Sequence, residues 1–224
     1  MLEFTSVLAS WPVFLQGLGL TIALTLFSCA LGTLLGVACA WCRVHGTRQL
    51  RIGVACYVEF FRNTPFIVQI FFIYFGLPAI GLRFASFPAA VLALTINLGA
   101  YACEILRAGI EATPRGQIEA AECLGLNRWQ TFTRVVLPPA LSRVWPAMTS
   151  QLIIIMLATA VCSLISTAEL SYVTNRIAAE TFRQFESYIV VTVLYLLLSI
   201  CFRRLLQWFG PRFLFGCAPV GAKR

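Results

Sequence analysis

Few side chains in this sequence have chemical capacity, and their spacing is informative. Glu104 and Arg107 stand three residues apart, and Glu59 and Arg62 repeat that spacing. Helical residues three apart are neighbours, so both sets read as structural ion pairs rather than substrate ligands. Such pairs can also exchange partners between helices, which suits a protein that rocks between states. Asn97 and Tyr101 lie one helical turn apart on one face, and Gln69 and Gln151 are isolated polar groups in apolar runs. Polar groups in that setting are costly, and mark either a transport path or hydrogen bonds between helices. Gln69, Asn97, Tyr101 and Gln151 are therefore the candidate path residues, with interhelical bonding as the alternative role.

Other chemistry is excluded by residue type. All nine acids are Glu, His45 is the only His, and Lys223 is the only Lys. Zinc binding and His-based catalysis lack their residues, and no metal site is expected. No G-x-x-x-x-G-K-[ST] loop is present to cradle nucleotide phosphates. Cys39 and Cys42 have C-x-x-C spacing, but at the end of an apolar helix rather than after a strand. Most of the nine Cys lie in or beside apolar runs, where they act as small hydrophobes.

The elements that position these groups follow from composition. Of 224 residues, 59% are hydrophobic and 12% charged, with a mean hydropathy of +0.84. Soluble domains are about 25% charged, so lipid is the solvent for most of this chain. A spanning helix needs roughly 20 apolar residues. Five stretches qualify, at about 17–41, 65–80, 88–106, 145–165 and 187–202, the second with an apolar lead-in from Ile52. The expected class is an all-α integral membrane protein, one transmembrane domain over 1–224. Asn97 falls roughly 14 Å into its span at about 1.5 Å per residue, near the midplane. Thr64-Pro65 and Pro88 read as helix starts, and Pro78 with Gly81 as a turn. Gly32 and Gly36 form a G-x-x-x-G pattern that lets another helix approach closely.

The net charge of +8 reads as orientation rather than nucleic-acid binding. Arg43, Arg48, Arg51, Arg107, Arg115, Arg128, Arg134, Arg143, Arg203, Arg204, Arg212, Lys223 and Arg224 fall on one side of the expected spans, against Arg83, Arg176 and Arg183 on the other. That bias puts the N-terminus outside and the C-terminus in the cytoplasm. Glu169, Glu180 and Glu186, with Arg176 and Arg183, then form an outer segment, either an amphipathic helix or a solvated loop.

One inner loop is long, at about 113–139. Thr113-Pro114 starts a helix and Gly125 ends it in a left-handed cap. Asn127 opens a second helix, with Gln130 placed to complete a capping box. Pro138-Pro139 is expected to stop that helix.

Glu119-Ala120-Ala121, then Gly125 and Leu137-Pro138, resembles the EAA motif of binding-protein-dependent ABC importer permeases. Phe61-Arg62-Asn63-Thr64-Pro65, and the run from Asn97 through Tyr101, Glu104 and Arg107 to Gly109, resemble signatures of the polar amino acid permeases in that class. The resemblance implies a type I ABC importer-like fold in a bacterial inner membrane, with five spans and a cytoplasmic coupling loop. It implies a dimer with a second permease, the same or different, and a dimer of ATP-binding subunits that holds the ATP and Mg. This chain then binds no cofactor and is not an enzyme. An extracytoplasmic solute-binding protein delivers the substrate, membrane lipid surrounds the spans, and nucleic acid is not a partner. Glu119, Ala120, Ala121, Gly125 and Pro138 become the ATPase-coupling residues. Two departures stand out: Pro139 replaces the usual Gln, and Ser150 with Leu157-Ala158-Thr159-Ala160 replaces a more polar span-four pattern. A secondary transporter or channel subunit is the alternative, but no half-to-half repeat supports it.

Overall fold

The computed structural model describes residues 4–210 and 212, all of its regular structure helical. Glu3, Lys223 and Arg224, which enter the charge balance, and the ends of the 1–224 domain lie outside the described residues. The helices are α1 (Thr5–Ala9), α2 (Trp11–His45), α3 (Arg48–Arg62), α4 (Phe66–Phe71), α5 (Ser86–Glu111), α6 (Arg115–Cys123), α7 (Arg128–Thr131), α8 (Leu137–Ala158), α9 (Leu170–Thr181) and α10 (Gln184–Phe209).

Four helical stretches are long and apolar enough to cross a membrane: Trp11–His45, Ser86–Glu111, Arg128–Ile165 and Gln184–Phe209. The second expected span differs. It is a broken pair, Arg48–Arg62 and Phe66–Ile80, bent by 108°. The break falls at Asn63-Thr64-Pro65. A proline has no N–H and pushes the residue before it away from helical geometry. Thr64 does not cap the next helix; its hydroxyl donates to Phe60 O at 2.8 Å, and Pro65 takes the cap position itself. Beyond α4 the chain passes through a π turn and a 3₁₀ turn to Gly81, which ends it at a φ of +87°.

The α2–α5 contact organises the bundle. The buried stripe of α2 is Phe14, Gly17, Thr21, Leu24, Thr25, Ser28, Gly32, Gly36 and Ala40, mostly small residues at helical spacing. Added side-chain carbon on Gly32 would come within 2.8 Å of Leu98, and on Gly36 it would overlap Ala102. The G-x-x-x-G pattern thus seats α5 directly on α2. Thr21 and Thr25 return their hydroxyls to the carbonyls of Gly17 and Thr21, at 3.0 and 2.8 Å, so these two threonines sit in the stripe with their polar atoms satisfied. Tyr57 OH donates to Ile96 O at 2.6 Å and docks α3 on α5. The Trp145 indole donates to Leu206 O at 3.2 Å, joining α8 to α10. On α10 the apolar side chains of Leu196, Leu197, Ile200 and Leu205 stay exposed. In a bilayer such a face meets acyl chains at no cost, because lipid is as apolar as Leu.

Helix α9 lies at the end of the bundle where α2 begins. Its residues Leu170, Val173 and Ile177 pack with Val7, Phe14 and Val191. The α6–α7 hairpin lies at the opposite end, where α2 finishes.

Candidate functional site: a polar stripe and a docked hairpin

Asn97, Tyr101 and Glu104 occupy successive turns of α5, and the first two meet the broken span. Asn97 Nδ2 donates to Gln69 Oε1 at 2.9 Å. The Gln69 amide nitrogen reaches Phe61 O (2.9 Å), Thr64 O (3.0 Å) and Thr64 Oγ1 (2.9 Å). Carbonyls freed by the break are thereby satisfied by the first polar side chain after it. Gln69 and Asn97 are both buried. Two of the candidate path residues therefore hold the bend against α5 through their amides. Tyr101 OH donates weakly to Arg62 O, at 3.4 Å, while the Arg62 guanidinium sits 5.5 Å from the Tyr101 ring centroid. Gln151 is buried on α8 and takes no part in these bonds.

The two E-x-x-R pairs part company. Arg107 pairs with Glu104 and also with Glu111. Glu59 and Arg62 form no ion pair among the described residues; Arg62, exposed at the end of α3, turns to Tyr101 instead. Arg62 and Arg43 still lie near enough to attract the Glu104 carboxylate.

The hairpin follows from local chemistry. Gly125, at a φ of +74°, ends α6 in a Schellman motif: Leu126 N donates to Ala121 O at 3.1 Å and Gly125 N to Glu122 O at 2.9 Å. Asn127 and Gln130 exchange both bonds of a capping box, at 2.9 and 3.0 Å. Pro138-Pro139 does not end the second helix. A π turn at Phe132–Val136 resets the register, and the prolines occupy the first positions of α8, where an N–H is not needed.

An aromatic cluster fixes the hairpin to the end of α2. The Trp41 ring stacks on His45 with centroids 4.0 Å apart, and lies 5.2 Å from Phe132 and 6.0 Å from Trp129. This anchoring sorts the hairpin's faces. Ala121 is 3% exposed and faces the bundle, whereas Glu119 and Ala120 face outward and Leu124 is 80% exposed. Trp41 and Phe132 gave no functional signal in the sequence, because their meeting depends on the tertiary fold.

At the other end, Glu169 is fully buried at the head of α9. It accepts from Ser171 N and Tyr172 N at 2.8 Å and from Tyr195 OH at 2.7 Å. Burial raises its pKa, against the pull of those donors. Thr21 Oγ1 accepts from Leu170 N at 3.1 Å, so α9 is fastened to both α2 and α10. The segment after span four is thus a docked helix, with Arg176 and Glu180 (3.3 Å apart) forming an exposed pair on it and Arg183 pairing with Glu186 just beyond. Among the described residues no group of three or more His, Cys or acidic side chains is placed to hold a metal.

Residues 32–215 match the family described as "Binding-protein-dependent transport system inner membrane component". The chain belongs to this family. It is an all-helical membrane permease, as the resemblance of its motifs implied. The putative glutamine transport system permease protein of Rickettsia bellii (strain RML369-C) is 33% identical over 184 residues, covering 82% of this chain and 84% of that protein. The L-cystine transport system permease protein of Bacillus subtilis (strain 168) is 37% identical over 174 residues, covering 78% of this chain and 74% of that one. Among solved structures, an amino acid ABC transporter crystallised with histidines superposes at a TM-score of 0.87 with 34% identity, over 95% of this chain and 100% of that one.

Proposed function

We propose that this chain is the transmembrane permease of an ATP-driven amino acid importer in a bacterial inner membrane. The observation that carries the reading is the likeness, over most of the chain, to amino acid ABC permeases in sequence and in fold. The hairpin gives the reading its mechanism. Its outward face, with Glu119, Ala120 and Leu124, seats in a cleft of an ATP-binding subunit. Ala121 and Pro138 belong to the inward support that passes motion to α5 and α8. Gly125 sets the corner. ATP and Mg reside on that partner, and this chain carries out no hydrolysis.

Two permeases, identical or different, enclose the path. Tyr101 and the amides of Gln69 and Asn97 border the bend of the broken span, with Gln151 on the neighbouring helix. A wall of hydroxyl and amide groups suits a zwitterion that has already been selected by an extracytoplasmic binding protein. The hairpin end of the bundle carries most of the basic residues and faces the cytoplasm; the α9 end faces outward and receives the binding protein.

Reconstitution in liposomes with the ATP-binding subunit and a binding protein tests the reading. ATP hydrolysis and amino acid uptake rise together when loaded binding protein is added outside. Uptake by this chain without any ATP-binding subunit would instead support a secondary transporter.

A further inference from the structure

Between the hairpin and the end of α2 lies a cleft of about 310 Å³, lined on α6 by Ile118 and Glu122. Its lining brings together His45, Glu122, Arg128 and Thr131. Glu122 and Arg128 are exposed, and neither is ion-paired among the described residues. Thr131 is 7% exposed, and its hydroxyl has no hydrogen-bond partner among the described residues. Two residues on, Thr133 shows the ordinary solution, returning its hydroxyl to Trp129 O at 2.7 Å. A buried hydroxyl left unbonded is costly and points to a missing partner.

The cleft does not end at its polar wall. His45, Val44, Ile110 and Phe132 also line an adjoining slot of about 120 Å³, closed by Val37, Leu106 and Leu141. Apart from His45 every side chain around the slot is hydrocarbon or aromatic. A soluble zwitterion matches the charged mouth but leaves the slot empty. An amphiphile fills both.

The position fits the same ligand. At about 1.5 Å per residue α2 is roughly 52 Å long, well beyond a ~30 Å hydrocarbon core. Its last turn, with Trp41 beside Trp129, therefore lies at a membrane interface, where Trp concentrates. An arginine at that depth is placed to meet phospholipid phosphates.

We infer that the cleft binds a phospholipid whose headgroup carries a primary ammonium. The phosphate lies against Arg128 and the Thr131 hydroxyl, the ammonium against Glu122, and part of an acyl chain occupies the slot. The lipid then props the hairpin from beneath. This inference rests on the chain's place in the membrane, not on its coupling to an ATPase.

Native mass spectrometry of the purified permease complex tests it, with phosphatidylethanolamine, phosphatidylcholine and phosphatidylglycerol added in turn. Wild-type protein retains phosphatidylethanolamine about tenfold better than phosphatidylcholine, the equivalent of one contact of about 1.4 kcal/mol. Arg128→Gln weakens retention of all three lipids. Glu122→Gln removes the preference for ethanolamine over choline while leaving phosphatidylglycerol bound. Both positions are on the surface, so the variants fold. Equal retention of the three lipids by wild type, or retention unchanged in Arg128→Gln, would overturn the inference. Displacement of the lipid by millimolar free amino acid or phosphoethanolamine would also overturn it, assigning the cleft to a soluble zwitterion.

Discussion

Asn97 and Gln69, 28 residues apart in sequence, share a 2.9 Å amide hydrogen bond across the α4–α5 interface. Gln69 simultaneously satisfies Phe61 O and Thr64 O at the break. The two ends of that bond are therefore unequal. Asn97→Leu removes a single interhelical bond, an effect of about 0.6 kcal/mol in membrane proteins. Gln69→Leu also strands two carbonyls, and costs about 1–3 kcal/mol. Unfolding in mixed micelles, followed for both single variants and the double variant, distinguishes the two. Equal effects would contradict the role of Gln69 in holding the break.

The α2–α5 contact makes a sharper steric prediction. Gly36→Val places branched carbon where Ala102 already sits, with overpacking costs of about 1–3 kcal/mol. Gly19→Val, on the same helix with nothing within 4 Å of an added Cβ, is the control. Thermal stability in detergent falls for the first and holds for the second.

Gly125 has open space around it, so its requirement is conformational rather than steric. Its φ of +74° costs an L-residue with a Cβ about 1–2 kcal/mol. Gly125→Ala loosens the Schellman turn without touching the spans. Hydrogen exchange at Leu126 quickens, while exchange along α5 is unchanged.

Glu169 supplies a pH dependence. Burial raises its pKa above that of the unfolded chain, so the folded state holds this proton more tightly. The contribution to stability is fully present below the ordinary carboxylate pKa of about 4.3, and declines as pH rises through the raised value. Glu169→Gln removes this proton from the balance. As pH rises above about 4.3, the Tm of wild type falls relative to that of the variant. Parallel profiles would contradict the assignment.

What was legible in the sequence was local. Gly125 as a left-handed cap and the Asn127–Gln130 box are decided within a few residues, and so were readable from residue type and spacing. The G-x-x-x-G contact was readable because small residues at that spacing have one evident packing use. The rest depends on groups that meet only in the fold. Tyr101, 39 residues from Arg62, draws that guanidinium away from Glu59. A helix start at Thr64-Pro65 was readable from the proline, but the 108° bend there is held by Gln69 and Asn97, which meet only in the fold. The prolines at 138 and 139 look like a stop. A preceding π turn lets the helix run on from Arg128 to Ile165. Burial of Glu169 had no sequence signal, because an acid in an outer segment is ordinarily solvated.

On the proposed function, the outward face of α6 seats in an ATP-binding subunit. Ala120 is exposed on that face, one residue from the inward Ala121. Ala120→Arg adds a long cation to it without entering the bundle. The decisive measurement is the amount of ATP-binding subunit that copurifies with membrane-inserted Ala120→Arg protein, relative to wild type. Insertion stays normal and copurification falls at least tenfold; copurification at the wild-type level would overturn the docking of α6.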